Sequence, residues 1–288
     1  MQSLHDVLAP AKLNLFLHIT GRRADGYHLL QSAFMLIDWC DTLHFEVRAG
    51  GQLSREDLVS PLPGDDLVLQ SARLLQQVTG CTQGAHIQIE KRIPSQAGMG
   101  GGSSDAASCL LALNRLWGLN LKVSQLAEIG LRLGADVPFF LRGHNAWVQG
   151  VGEQITPLHL PPAHFAVLKP PQGLETAKIF GAPDLKRDSK PATIADFAAD
   201  PYGFGHNDLQ PVAQRLCPQV FQAISWLENA GLDAKMTGSG SAVFAKLSHT
   251  LSLDQSHDHL PDHGLDWQLR VCGNLEIHPL WGWASSDN

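Results

Sequence analysis

Residues 93–107 read Ile93-Pro94-Ser95-Gln96-Ala97-Gly98-Met99-Gly100-Gly101-Gly102-Ser103-Ser104-Asp105-Ala106-Ala107, with four glycines in the five positions 98–102. This stretch is not a Walker loop, because that loop needs a Lys-Ser or Lys-Thr pair directly after its last glycine. It is not the dinucleotide fingerprint G-x-G-x-x-G either, because the third glycine is missing. Two large classes of nucleotide-binding protein are therefore excluded.

The glycines of this loop predict an anion site. Glycine adopts backbone conformations closed to other residues, so several N–H groups can point into one concavity. Ala106, Leu110 and Asn114 follow at helical spacing, and we predict a helix with Ser103 or Ser104 as its N-cap. A glycine nest that opens onto a helix N-terminus suits a di- or triphosphate. From these residues alone, a flexible Gly-Ser turn before a capped helix remains an alternative.

Composition narrows the class of protein. The chain has 288 residues, 44% of them hydrophobic, and a net charge of −7, so we expect two domains in one compact unit. It has no basic run, which argues against binding to nucleic acid or to anionic membranes. Its five cysteines include no CxxC pair and are interpreted as reduced thiols. With no apolar run of membrane-spanning length and no signal-peptide core, we expect a soluble, cytoplasmic protein.

Hydrophobic periodicity predicts the elements around the loop. Residues 13–20 alternate as a half-buried strand, which puts Lys12 and Asn14 on one face. A helix over residues 66–78 precedes a strand over 85–89, and that strand leads into the glycine loop. The order of strand, loop and helix is the one that a phosphate site needs.

The second half of the chain begins with a proline-rich stretch, and we predict domains 1–155 and 156–288. Helices are predicted near 176–181 and 219–230, before a second glycine turn at 237–242. Strands and helices mix without regular alternation. This pattern favours an α+β fold over a doubly wound sheet.

Three blocks of sequence now stand in order along the chain: Pro10-Ala11-Lys12-Leu13-Asn14-Leu15, the glycine loop, and Thr237-Gly238-Ser239-Gly240-Ser241-Ala242. In order and spacing they resemble the GHMP (galactokinase, homoserine, mevalonate and phosphomevalonate) kinase superfamily. A further block, Arg23-Ala24-Asp25-Gly26-Tyr27-His28, resembles one branch of that family, in which the acceptor is a cytidine diphosphate alcohol. The resemblance covers nearly the whole chain.

The resemblance implies a two-domain GHMP kinase fold. Its N-terminal domain would have a left-handed βαβ crossover, where the usual rule predicts a right-handed one, and its C-terminal domain would be ferredoxin-like. The implied reaction transfers the γ-phosphoryl group of ATP, with Mg²⁺, to the 2-hydroxyl of a methylerythritol moiety. The small-molecule acceptor belongs to the non-mevalonate isoprenoid pathway.

Catalytic roles are assigned to Asp136 and Lys12. The resemblance places this aspartate beside the lysine, and a nearby cation keeps a carboxylate ionised, so that Asp136 can act as the base. A helix cap is the alternative role for Asp136. Pro138 favours the first helical position, however, which puts Val137 at the cap and Asp136 one residue too early.

Binding roles follow from the same resemblance. ATP would lie on the glycine loop, at Pro94, Gly98, Met99, Gly100, Gly101, Gly102, Ser103 and Ser104. The acceptor would be bound by Asn14, Tyr27, His28, Phe180, Gly238, Ser239 and Gly240. Tyr27 can stack on a pyrimidine, and His28 can bond its edge. The sequence assigns no Mg²⁺ ligand and no oligomeric state.

Two features depart from a plain family pattern. Relatives often have asparagine where this chain has Asp66, which puts the adenine contact in question. His257, His259 and His263 resemble a zinc cluster, but Pro261 suggests a solvated polar turn there instead.

Two other functions predict a different set of residues. A homoserine or mevalonate kinase would lack the block at residues 23–28. A silent nucleotide-binding protein on the same fold would be expected to lose Lys12 or Asp136, and both are present.

Overall fold

The computed structural model describes residues 2–247, 260–261 and 266–287 of the chain. Its strands are β1 Ser3–Arg22, β2 His28–Arg48, β3 Leu53–Asp57, β4 Gly84–Glu90, β5 Ala146–Gly150, β6 Gln154–Pro157, β7 His164–Lys169, β8 Ala234–Met236, β9 Val243–Lys246 and β10 Gln268–Gly273. Its helices are α1 Leu67–Thr79, α2 Gly101–Leu116, α3 Val123–Leu131, α4 Val137–Arg142, α5 Thr176–Phe180, α6 Ile194–Ala199, α7 Gln210–Leu216 and α8 Pro218–Asn229.

The first sheet has the order β3-β4-β2-β5-β6, with β1 paired along β2. The long strands β1 and β2 run antiparallel, and β3 and β4 run parallel with α1 as their crossover. Helices α1 and α2 pack on this sheet and α3 and α4 pack on α2, in a core that includes Phe45, Ile87, Leu110 and Phe139. The strand predicted over residues 85–89 and the helix predicted over 66–78 are both confirmed.

Strand β1 is buried on both faces between residues 9 and 19, so the prediction of a half-buried strand was wrong. Near Ala9, side chains of β1 pack in the core under the helices. Leu13 and Leu15 instead lie in a separate apolar cluster that includes Phe165 and Val167 of β7. The strand is therefore covered by a second layer of structure that short-range periodicity does not reveal.

The second sheet is antiparallel, with the order β10-β7-β9-β8. Numbered along the chain within this sheet, that order is 4-1-3-2, which is the ferredoxin-like arrangement. Helix α8 packs on it through Val220, Ile224 and Leu227, among other buried residues. The chain thus has the α+β fold that the resemblance implies.

The C-terminal end of the chain returns to the first sheet. Asn274 bridges to Ile37, Ile277 bridges to His144, and Leu280 lies in the core under the helices. The division into domains 1–155 and 156–288 stays a prediction. The three histidines interpreted as a solvated turn lie outside the described residues.

The sequence pattern over residues 124–133 predicts a helix capped by Ser124, whereas helix α3 begins one residue earlier, at Val123. Lys122 occupies its N-cap, and Ser124, predicted as the cap, lies inside the helix with its N–H bonded to Asp287 Oδ1 at 3.2 Å. The partner of Ser124 lies 163 residues away, in the C-terminal segment. The residues next to Ser124 in the sequence therefore could not predict this contact or the start of the helix.

Candidate active site

A cavity of about 1150 Å³ is lined by residues from both halves of the chain. Its wall includes every predicted site residue except Ser104: Lys12, Asn14, Tyr27, His28, Pro94, Gly98, Met99, Gly100, Gly101, Gly102, Ser103, Asp136, Phe180, Gly238, Ser239 and Gly240. We call the part formed by residues 98–103, together with Lys12, Asp136 and Gly238, the glycine-loop end. The part formed by Tyr27, His28 and Phe180 is called the aromatic end.

At the glycine-loop end, the chain passes from β4 through the loop into α2. Gly98 and Gly100 have φ values of +73° and +72°, in the left-handed region that favours glycine. Gly100 occupies the N-cap position of α2, and the first helical bond runs from Ser104 N to Gly100 O at 2.9 Å. The N–H groups of Gly101, Gly102 and Ser103 consequently have no acceptor within the helix, which leaves them to an anion.

The prediction that Ser103 or Ser104 caps this helix was wrong. Because Gly100 adopts the left-handed conformation, the helix begins at Gly101 and both serines lie in its first turn. The Oγ atom of Ser104 is buried and has no hydrogen-bond partner among the described residues. The Ser103 side chain lines the cavity. The Ser103 hydroxyl, in the first turn of the helix, can therefore bind a phosphate oxygen or a cation in the cavity.

Lys12 and Asp136 meet beside the glycine loop. Lys12 is 4% exposed, and its Nζ lies 3.7 Å from Asp136 Oδ2 and 4.6 Å from the centre of the Phe34 ring. Burial lowers the pKa of Lys12, and the nearby Asp136 opposes that shift. The ammonium also donates to Asn14 Oδ1. The pair places a carboxylate and a cation together in the cavity wall.

Asp136, and not Val137, occupies the N-cap position of α4, so the expected position of the cap was wrong. Pro138 is the second residue of the helix instead of the first. The Asp136 side chain nevertheless makes no capping hydrogen bond. Its carboxylate is 31% exposed and faces Lys12. It therefore remains available to a substrate.

Asn14 links this pair to the second glycine turn. Its side-chain Nδ2 donates to Ser32 Oγ at 2.8 Å, which orients the amide with its oxygen toward Lys12. Its backbone N–H donates to Thr237 Oγ1, also at 2.8 Å. The block at residues 237–242 is thus joined to β1 directly.

The two glycine turns pack backbone against backbone. A Cβ atom added at Gly98 would lie 2.2 Å from the carbonyl oxygen of Thr237, and one added at Gly238 would lie 2.4 Å from that of Gly98. Hydrogen bonds from Ser241 N and Ala242 N reach carbonyl oxygens of the glycine loop at 3.1 and 3.2 Å. Glycine is required at these positions because no side chain fits between the turns.

At the aromatic end, the rings of His28 and Phe180 lie with their centres 5.2 Å apart. Tyr27 is 65% exposed, so its ring is accessible to a ligand. Arg22 Nε donates to Gly26 O at 3.0 Å and holds the turn that carries Tyr27. Residues from two distant parts of the chain therefore form one aromatic site.

Sequence reasoning missed a buried ion cluster below the glycine loop. Lys91 lines the cavity, and its Nζ bonds to Asp105 Oδ2 at 2.7 Å and to Asp41. Asp41 Oδ1 in turn accepts the N–H of Ile93 at 2.8 Å. Burial raises the pKa of Asp105 well above its ordinary value, with Lys91 opposing the shift. Asp105, directly after the two serines, was the feature of the sequence that could have indicated this cluster.

A second missed network surrounds Asp66. This residue is the N-cap of α1, where it accepts the N–H of Leu69 at 3.1 Å, and it pairs with Arg55 at 2.6 Å. Arg55 also pairs with Asp57. Asp66 therefore has structural partners in this chain, although it lines the cavity as well.

The chain matches two family models, described as the GHMP kinases N-terminal domain over residues 66–144 and the GHMP kinases C-terminal domain over residues 191–252. A protein of Variovorax paradoxus (strain S110), named 4-diphosphocytidyl-2-C-methyl-D-erythritol kinase, is 62% identical over 99% of this chain and 100% of its own length. One of Acidovorax sp. (strain JS42) with the same name is 63% identical over 99% of both chains. The chain belongs to the GHMP kinase family.

Solved structures agree with this membership. A crystal structure of 4-(cytidine 5'-diphospho)-2C-methyl-D-erythritol kinase is 33% identical, covers 95% of this chain and 99% of its own, and has a TM-score of 0.77. A homoserine kinase from Cytophaga hutchinsonii, at 16% identity and a TM-score of 0.65, covers 96% of each chain and shares the fold alone. The family predicted from three sequence blocks is confirmed, and with it the enzyme class, an ATP-dependent kinase. Among the described helices, none has the length and apolar character to cross a bilayer.

Proposed function

We propose that this GHMP kinase phosphorylates the 2-hydroxyl of 4-diphosphocytidyl-2-C-methyl-D-erythritol with ATP, in the non-mevalonate isoprenoid pathway of the cytoplasm. One observation carries the proposal: a single cavity joins the glycine-loop end to the aromatic end, with Lys12 and Asp136 in its wall. An ATP and an acceptor with a nucleotide moiety can enter such a cavity together. The names and high identities of the relatives support the same acceptor.

In the proposed reaction, the free N–H groups of residues 101–103 bind phosphate oxygens of ATP. Asp136 accepts the proton of the 2-hydroxyl as its oxygen attacks the γ-phosphorus and the bond to ADP breaks. Lys12 holds the carboxylate in place and offsets the negative charge that spreads over the transferred group. Asn14 holds the lysine and bonds the acceptor.

The residues present fit a magnesium ion that arrives with ATP. Mg²⁺ prefers oxygen ligands and is usually held by one or two protein groups, waters and substrate phosphates. The hydroxyl of Ser103, which lines the cavity next to the free N–H groups of residues 101–103, is such an oxygen. No cluster of three or more metal-ligating side chains occurs among the described residues, so phosphate would supply much of the ligation. The ion would neutralise phosphate charge during transfer.

Purified protein incubated with ATP, Mg²⁺ and one candidate alcohol at a time tests the proposal. We expect ADP release with the cytidine diphosphate alcohol and none above background with mevalonate or homoserine. Mass spectrometry of the product should place one added phosphate on the methylerythritol moiety. Turnover of mevalonate or homoserine, without turnover of the cytidine compound, would contradict the proposed acceptor.

A further inference from the structure

Arg187 lies next to His28 and Phe180 of the aromatic end. All five N–H donors of its guanidinium form hydrogen bonds. Its Nε donates to His28 Nε2 at 3.0 Å. The other donors reach main-chain carbonyl oxygens at 2.7 to 3.5 Å, those of Phe180, Ala182, Pro183 and Leu185. One side chain thus fixes both the turn after α5 and the ring of His28.

The bond from Arg187 determines which nitrogen of His28 carries the proton. An arginine side chain has no acceptor and keeps its charge at any physiological pH, so His28 Nε2 can only accept. A neutral imidazole that accepts through Nε2 carries its hydrogen on Nδ1. Burial, then the positive charges of Arg187 and Arg22, lower the pKa of His28. These effects keep the ring neutral, with Nδ1–H as its donor.

We propose that Arg187 is a positioning residue for base recognition: it holds His28 in the Nδ1–H form, so that the site prefers cytosine over uracil. This inference rests on the proposed function, because it assumes that a pyrimidine occupies the aromatic end. The ring nitrogen N3 of cytosine accepts a hydrogen bond, whereas N3 of uracil carries a hydrogen. A fixed donor therefore pairs with cytosine and opposes uracil, and an unpaired buried polar group weakens binding of the wrong base.

Nuclear magnetic resonance of the ligand-free protein tests the first half. Long-range ¹H–¹⁵N spectra distinguish the two neutral forms of a histidine, and the His28 signals are assigned by their loss in His28→Gln. We expect the Nδ1–H form in the unsubstituted protein, although histidine in water favours Nε2–H. In Arg187→Met we expect the Nε2–H form to dominate and the pKa of His28 to rise.

Kinetics with two acceptors test the second half. The kcat/KM values for the cytidine diphosphate alcohol and its uridine analogue give a ratio, which we expect Arg187→Met to lower by about tenfold, or 1.4 kcal/mol. The KM for ATP should stay unchanged. Arg187→Lys keeps a charge and a donor near His28, so we expect it to restore part of the preference.

Arg215→Met is the matched control. Arg215 of α7 pairs at 2.7 Å with Asp184, which lies in the same turn, and in the part of the chain that the structure describes no hydrogen bond joins Arg215 to His28. If loosening of the turn were the whole effect, Arg215→Met would lower the cytidine-to-uridine ratio as Arg187→Met does.

Three results would overturn the inference: an Nε2–H form of His28 in the unsubstituted protein, an unchanged ratio in a folded Arg187→Met, or an equal fall in Arg215→Met. Failure of the proposed function looks different. It appears in the unsubstituted protein, as absence of turnover with either acceptor.

Discussion

The glycine-loop end of the cleft is built from main chain and buried charge, whereas the aromatic end is built from accessible side chains. At the former, backbone approaches backbone so closely that Gly98 and Gly238 admit no Cβ, and Lys12 is almost fully buried. At the latter, Tyr27 is 65% exposed. The comparison suggests that changes at the glycine-loop end abolish turnover, while changes at the aromatic end alter which acceptor binds.

The strongest test of this contrast is Asp136→Asn. We expect kcat to fall by about 10²–10⁴, because an amide cannot take the proton of the acceptor hydroxyl. Binding of a non-hydrolysable ATP analogue, measured by calorimetry, should be nearly unchanged because the loop N–H groups remain. Asp233→Asn, at an exposed position, serves as the control. Full activity in Asp136→Asn would mean that the base is another group or that no base is needed.

Lys12→Met should lower kcat by about 10²–10³, the usual effect of removing one group that stabilises transition-state charge. We expect little loss of stability, because burial of the ammonium carries a desolvation cost, which also lowers the pKa of Lys12. Asp136 is 31% exposed and can be solvated when its partner is removed.

Chemical denaturation should then give a free energy of unfolding within about 1 kcal/mol of the unsubstituted protein, the small range expected when a methionine of similar length fills the site. If the loss of activity in Lys12→Met equals the fraction of the protein that is unfolded, Lys12 has a structural role and the contrast between the two ends is weakened.

Sequence patterns predicted those elements of the fold that depend on residues close together in the chain. The strand before the glycine loop, the helices near residues 67 and 218, and the glycine turns all depend on neighbouring residues and were confirmed. The start of α2 was predicted at the serines because they are good caps. The left-handed conformation of Gly100, which depends on the packing around the loop, moved the start upstream.

Long-range partners could not be predicted. Lys91 bonds to Asp41, 50 residues earlier in the chain, and Arg187 bonds to His28 across 159 residues. Polar and charged residues scattered along a sequence normally indicate a solvated surface, and no neighbouring residue in the sequence indicates that these four are paired. The residues expected to contact substrate were easier to find because they cluster in short motifs.

Gly98→Ala tests whether the contact between the glycine turns is as tight as the distances indicate. The new methyl group would meet the carbonyl oxygen of Thr237, and we expect about 1–3 kcal/mol of overpacking in addition to left-handed strain. If about 1.4 kcal/mol of this cost falls on the ATP-binding conformation of the loop, the kcat/KM for ATP falls by about tenfold, which is the effect we expect.

Gly118→Ala is the matched control for this substitution. Gly118 has a φ of +64° and open space around its Cβ position, so it reports left-handed strain alone. Thermal denaturation of both variants separates the two effects. Equal loss of stability in Gly98→Ala and Gly118→Ala would mean that the two turns can move apart.

The smallest expected effect belongs to the aromatic end. Tyr27→Ala should raise the KM for the cytidine diphosphate alcohol about fivefold, the low end of the roughly 1–3 kcal/mol that base–aromatic stacking contributes, because the ring is largely exposed. We expect kcat, the KM for ATP and the melting temperature to stay unchanged, since Tyr27 is assigned to base binding and is too exposed to add much to the core. Tyr27→Phe keeps the ring and should behave as the unsubstituted protein. A fall in kcat at unchanged KM would place Tyr27 in the chemistry and break the division between the two ends of the cleft.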